Sequence, residues 1–233
     1  MSGGAAVVIG ASGAIGGALE RALIEEAAHA TVWGFGRSRA GADHLDILDE
    51  ASIAAAAARV ATGPAPTLIL IATGLLHEGE RMPERGFKEL DAEWMARSYA
   101  VNAIGPALVL KHFLPLLPKA GEPVVAALSA RVGSIGDNGL GGWHGYRAAK
   151  AALNMLIRNA AIEAKRQSPR ATVVGLHPGT VDSELSKPFQ GNVAPGSLFA
   201  PDRAALQLLD VIEALKPKDS GKLFAWDGAE IPF

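Results

Sequence analysis

Short runs rich in Val, Ile and Leu alternate along this chain with longer Ala-rich stretches, and that alternation leaves few folds open. A strand buried on both faces reads as a continuous apolar run, the mark of a parallel sheet covered by helices. Candidate strands occupy residues 5–9, 31–35, 67–72, 123–128, 171–176 and 222–225. Between them the pattern predicts helices over 14–28, 52–61, 91–117, 143–167 and 202–215, several stopped by Gly or Pro. The βαβα order predicts an α/β fold, a doubly wound parallel sheet with helices on both faces. With 233 residues and 49% hydrophobic content, the chain can bury that core as one domain over 1–233. Two polar, Gly/Pro-containing stretches, 75–88 and 182–201, follow strand C-terminal ends, where ligands bind in open α/β sheets, and each is expected to act as a lid.

Composition removes several classes of function. A formal charge of -2 gives no basic patch for nucleic acid and no acidic tail. Cysteine is absent, which excludes disulfides and thiolate metal sites and allows a reducing compartment. His77-Glu78 has no partner histidine at the spacing of a zinc site, so no metal is expected. The stretch 1–10 lacks a basic leader, and its apolar run is too short for a signal peptide or membrane span. A cytoplasmic protein without membrane or nucleic-acid partners is therefore expected. A Ser-His-Asp hydrolase would need a Gly-x-Ser-x-Gly elbow, and Gly10-Ala-Ser12-Gly13-Ala14 fails at its last position.

That segment suits a different chemistry. Gly10-Ala-Ser12-Gly13-Ala14-Ile15-Gly16 follows the first strand and opens a helix, where backbone N–H groups can face a pyrophosphate and glycine lets it approach. After the second strand, where an acidic residue would accept from the 2′-hydroxyl of NAD, stands Gly36-Arg37-Ser38-Arg39. An arginine and a serine hydroxyl suit a 2′-phosphate, favouring NADP(H) over NAD(H). Further along, Tyr146 precedes Lys150 by four residues, placing a phenol and an ammonium on one helix face. A neighbouring cation should pull the phenol below its usual value of about 10 and fit it for acid/base work. Pro106 lacks the N–H that would bond the Asn102 carbonyl, which either frees that carbonyl for a water or marks an ordinary kink.

In this order and spacing the motifs resemble the short-chain dehydrogenase/reductase family over essentially the whole chain. The likeness is strongest to its sniffer carbonyl reductase and C-factor-like subgroup, through Val101-Asn-Ala-Ile-Gly-Pro106 and the stretch from Gly133 through Tyr146-Arg-Ala-Ala-Lys150 to Asn154. The family loop, Thr-Gly-x-x-x-Gly-x-Gly, falls on Ile9, Gly10, Ala14 and Gly16, with Gly13 just before the replaced glycine. The resemblance implies a Rossmann fold and NADP(H)-dependent hydride transfer between nicotinamide and a small carbonyl or alcohol. Tyr146 would then be the acid/base, Lys150 would lower its pKa and contact the ribose, and Asn102 would hold a relay water. Asp46-Ile47 would meet the adenine, unless Asp46 caps the next helix, a role for which Asp49 competes.

Departures from the family pattern are as telling. Ile71-Ala72-Thr73-Gly74 stands where the family has Asn-Asn-Ala-Gly, so Thr73 would replace part of the amide bonding and Gly74 keep the clearance. Aligned on Gly133, the second serine of the family's Ser-Ser-x-x-Gly becomes Ala130, so a hydroxyl would come from Ser129 or Ser134, with Ser134 ahead. Pro178-Gly179 would bend around the nicotinamide, Val181 would hold the carboxamide and Ser183 would replace a threonine. His177 reads as a packed strand-end residue. Leu75, Leu76, Trp143 and Phe189 suggest an apolar pocket or simple packing. The resemblance also implies a homodimer through the helices at 91 and 143, or a tetramer. The other reading is an NADP(H)-binding signalling or regulatory protein with little turnover.

Overall fold

A computed structural model describes residues 3–233; Met1 and Ser2, the start of the segment expected to carry no leader, lie outside the described residues. Its main sheet has seven strands: β1 (Ala5–Ile9), β2 (Thr31–Phe35), β3 (Pro66–Ile71), β4 (Val124–Leu128), β5 (Thr172–His177), β8 (Leu223–Ala225) and β9 (Glu230–Ile231), in the order β2-β1-β3-β4-β5-β8-β9. All neighbours are parallel except the β8–β9 pair. A separate two-stranded piece pairs β6 (Thr180–Val181) with β7 (Leu198–Phe199).

The continuous apolar runs have a direct explanation, because successive residues of each strand feed opposite cores. Val7, Ile9, Ile69, Ile71, Val125 and Val173 pack on one face against Ile53 of α2 (Glu50–Val60), Val109 and Phe113 of α4 (Gly105–Phe113), and Leu153 and Ile157 of α5 (His144–Gln167). Ala6, Val8, Leu68, Leu70, Val174 and Leu176 pack on the other against Leu19 and Leu23 of α1 (Ala14–Glu26) and Leu208 and Ile212 of α6 (Pro201–Ala214). Each fully buried Leu, Ile or Phe contributes about 1.5–3 kcal/mol, so both faces resist polar substitution. Strand order reverses direction between β1 and β3, which opens a crevice beyond their C-terminal ends.

One expected element differs. The single helix over 91–117 is instead α3 (Ala92–Tyr99), a π-helical turn at Ala100–Ile104, α4, and a short 3-10 turn at Leu114–Leu116. Pro106 removes an i→i−4 donor, and at Gly105 the backbone runs so close to its neighbour that a Cβ would lie 2.5 Å from Ile47 Cγ1. The sequence also missed β6, β7 and β9, each two residues long. Among the described residues no helix is long and apolar enough to cross a membrane.

Candidate active site

The glycine loop divides into positions the fold needs and positions it leaves open. Gly10 turns the chain at φ +94°, and a Cβ there would sit 2.6 Å from the Ala72 carbonyl oxygen. A Cβ on Gly16 would lie 2.2 Å from the Gly10 carbonyl oxygen, so this glycine lets α1 pack on the β1 turn. Gly13, by contrast, caps α1 at φ -87°, and its Cβ would meet only the Gly10 oxygen at 3.3 Å. Its bareness clears the front of a helix with no side-chain cap and no acidic residue in the first turn, where Ala14, Ile15 and Gly16 present N–H groups.

In front of this loop lies a cleft of about 290 Å³, bordered by Gly10, Ser12, Gly13, Arg37, Ser38, Asp46, Ile47, Ala72, Thr73 and Gly74. Of the two arginines after β2, Arg39 is tied to Glu20 and to the Ala11 carbonyl, whereas Arg37 is exposed and has no ion pair among the described residues. Asp49 caps α2 through the Ala51 N–H, which leaves Asp46 at the cleft, accepting from Leu48 N–H at 3.0 Å. Thr73 Oγ1 is buried without a protein partner. An open helix terminus, a free arginine and an orphaned hydroxyl fit an elongated, multiply anionic nucleotide better than an apolar ligand. The sequence reading passed over Arg97, which borders the cleft and holds Glu78 at 2.9 Å, keeping that carboxyl below its usual range.

Asn102 does more than its backbone position suggested. It is fully buried in the π turn, where its side chain accepts from Leu75 N–H at 3.0 Å and donates to the Leu75 carbonyl at 2.8 Å. One amide thus bonds both backbone groups of Leu75 after β3, whereas Thr73, expected to replace part of the amide bonding, makes no side-chain hydrogen bond among the described residues. That segment meets the other expected lid where His77 Nε2 lies 2.9 Å from the Glu184 carbonyl oxygen.

A second cavity, about 270 Å³, continues from the loop toward α5. Ile15, Leu76, Trp143, Leu185 and Phe189 make it mostly apolar, with Trp143 and Phe189 ring centroids 4.9 Å apart, while Leu75 borders the first cleft instead. Tyr146 faces this cavity, and its hydroxyl has no hydrogen-bond partner among the described residues. Lys150 is 2% exposed and donates to the Leu128 carbonyl at 2.8 Å, with Nζ 5.8 Å from the Tyr146 ring centroid. Burial pushes the phenol up, not down, and pushes the Lys150 ammonium down to about 7. The expected lowering by Lys150 is therefore corrected: desolvation is what shifts the phenol, and Tyr146 stays neutral.

The two serines part company. Ser129 borders the cavity, but its hydroxyl donates to Asn154 Oδ1 at 2.6 Å. Ser134, the candidate placed ahead, is 1% exposed, accepts from Asp137 N–H at 3.0 Å and does not border the cavity. Pro178, Gly179, Val181 and Ser183 form the far wall. Gly179, at φ +75°, lies against the Phe199 and Trp226 rings, and the Val181 carbonyl accepts from Ser183 and Ser186 at 3.2 and 2.5 Å. His177 ends β5, as expected, and its ring also borders the cavity.

Sequence pattern gave no hint of how α5 begins. Trp143 caps the helix in the left-handed region, φ +50°, without a side-chain bond. The cap comes from Glu84, whose backbone oxygen accepts from Trp143 N–H at 2.5 Å and whose buried carboxylate accepts from Gly145 N–H at 3.2 Å.

The short chain dehydrogenase family model matches residues 4–193. C-signal of Myxococcus xanthus is 34% identical over 145 residues, 62% of this chain and 82% of that protein. The 1-hydroxy-2-glutathionyl-2-methyl-3-butene dehydrogenase of Rhodococcus sp. (strain AD45) is 35% identical over 139 residues, and the match spans only 58% of that relative's length. Among solved structures, the NADPH-bound carbonyl reductase from chicken fatty liver superposes over 100% of both chains with a TM-score of 0.83 and 26% identity. Carbonyl reductase Sniffer of D. melanogaster, at 19% identity and a TM-score of 0.80 over 100% of both chains, shares the fold.

Proposed function

Because the chain belongs to the short-chain dehydrogenase family, we propose that it reduces a small, largely apolar carbonyl compound with NADPH. The observation that carries this reading is a protonated, unpartnered Tyr146 hydroxyl in a mostly apolar cavity, with a separate cleft at the glycine loop bordered by Arg37 and Ser38. The loop at Gly13, the Thr73–Gly74 backbone and the wall at Val181 would hold the dinucleotide, with Arg37 and Ser38 at its 2′-phosphate. When bound, it supplies a hydride to the carbonyl carbon. As the π electron pair moves onto the carbonyl oxygen, Tyr146 passes its proton to the developing alkoxide, and the phenolate that remains draws Lys150 toward its charged form. Tyr146 would take a proton back from Lys150, and Lys150 would be recharged from solvent through a water at the Asn102 carbonyl. The groove between α4 and α5, where Leu110 and Leu114 face Leu156 and Ala160, is the expected seat of a second copy of the chain.

The test is NADPH oxidation against p-nitrobenzaldehyde, phenanthrenequinone, a diketone and a ketosteroid. Tyr146→Phe should lower kcat/KM by roughly 10²–10⁴-fold with NADPH binding nearly unchanged. A fully active Tyr146→Phe protein, or a wild type inert toward every carbonyl, refutes this reading and leaves a nucleotide-binding regulator in its place.

A further inference from the structure

The reduction above asks for a second hydrogen-bond donor on the substrate oxygen, because a developing oxyanion is best stabilised by more than one preorganised donor. The strand-end position at which the family resemblance implies a serine is Ala130, which borders the cavity. Ser129 has its proton on Asn154, itself 3% exposed and anchored to the Gly133 carbonyl at 3.3 Å. Ser134 serves the turn at Asp137, and Ser183 donates to the Val181 carbonyl.

His177 ends β5 in the adjoining position. The β4–β5 ladder pairs Leu128 with Leu176, so the next residues, Ser129 and His177, stand side by side. Alternation along β5 turns His177, like Val173, toward the α5 face that carries Tyr146. Its ring makes no hydrogen bond among the described residues, and Nδ1 is sealed from solvent without a partner. Burial holds the imidazole down to about 4, aided by Arg131 from the segment after β4 and opposed by Asp227 from the turn after β8. The ring is therefore neutral near pH 7, with one N–H and one lone pair. A sealed N–H without a partner is rarer than a sealed lone pair, so the proton belongs on Nε2, the nitrogen left for the cavity.

We propose that His177 replaces the missing serine, its Nε2–H bonding the substrate oxygen opposite Tyr146. This rests on the reductase reading and names a further catalytic residue for it.

His177→Phe keeps the ring and removes both nitrogens. With the best carbonyl of the panel it should lose roughly 100-fold in kcat/KM, the scale of one oxyanion donor, with NADPH titrating as in wild type. His177→Gln, which restores an N–H at similar reach, should recover part of the loss. The double variant His177→Phe/Ala130→Ser should recover part as well, since a hydroxyl then returns to the strand end; a purely structural histidine would be rescued by neither. If His177→Phe is too unstable to purify, the same comparison is made with His177→Gln against His177→Leu. The inference is overturned if Tyr146→Phe is inactive while the histidine variants keep wild-type kcat/KM. An active Tyr146→Phe protein overturns the reductase reading itself.

Discussion

Glu84 should hold the catalytic end of α5 in place from 61 residues away, and removing it is the sharpest structural test available. Glu84→Ala keeps the backbone bond to Trp143 and deletes the carboxylate bond to Gly145 N–H. Loss of a helix cap costs about 1 kcal/mol, and an unsatisfied buried N–H costs about 1–3 kcal/mol; the two describe the same group and are not added. Against them stands Glu84 Oε1, buried without a partner, whose desolvation the alanine relieves. The net expectation is a loss of about 1–2 kcal/mol, which for a domain of this size lowers Tm by roughly 2–8 °C. Glu84→Gln retains an acceptor for Gly145 N–H and should lose less. Because Tyr146 follows Gly145 directly, fraying of that turn should lower kcat more than it raises the KM for NADPH. Differential scanning calorimetry beside NADPH oxidation measures both effects. An alanine variant as stable as wild type, or more so, would show that the orphaned oxygen outweighs the cap and refute the argument.

Three other outcomes can be measured on the same protein. Arg37→Ala should weaken NADPH by roughly 10–100-fold more than NADH, the worth of one charge-assisted contact, and equal losses in fluorescence titrations would exclude a 2′-phosphate contact. Lys150→Met should raise Tm near neutral pH, with a gain that shrinks as pH rises: burial holds the folded amine at about 7 against 10.5 unfolded, so the unfolded chain binds the extra proton inside that window and wild type gains stability across it. A gain independent of pH would point to packing alone. Gly13→Ala should fold normally and lose NADPH affinity, whereas Gly16→Ala, with its Cβ 2.2 Å from the Gly10 oxygen, should lose about 1–3 kcal/mol of stability by overpacking; thermal shifts with and without NADPH separate the two.

What the sequence disclosed follows from the range of the forces involved. Strands such as β1 and β5 were legible because burial on both faces leaves an unbroken apolar run, a local signal. The Gly10 and Arg37 positions were legible because a strand end, a turn and a helix start are neighbours in sequence. The break at Ala100–Ile104 was half visible: Pro106 announced a disturbed helix, but neither its resolution into a π turn nor the approach of Ile47 that leaves no room for a Cβ at Gly105 has a local signal. Glu84 carries no local mark, and the roles of Asn154 and His177 depend on neighbours that only the fold brings near: Ser129 beside the one, the cavity beside the other.

The reversed shift on Tyr146 belongs to the same class and bears on the direction of catalysis. Spacing alone puts a cation beside the phenol and predicts a lowered pKa and an acid/base able to work in either direction; burial, which spacing cannot report, makes the phenol a reluctant anion and the lysine a reluctant cation. Such a pair is poorly poised to deprotonate an alcohol near neutral pH and well poised to protonate an alkoxide. The pH profile of kcat/KM for reduction should therefore stay flat on the acid side and fall only as the phenol ionises above its ordinary range, while oxidation of the matching alcohol should rise over that same interval. A reduction profile that falls as pH rises through about 7 would instead assign Lys150 as the group whose proton limits the reaction.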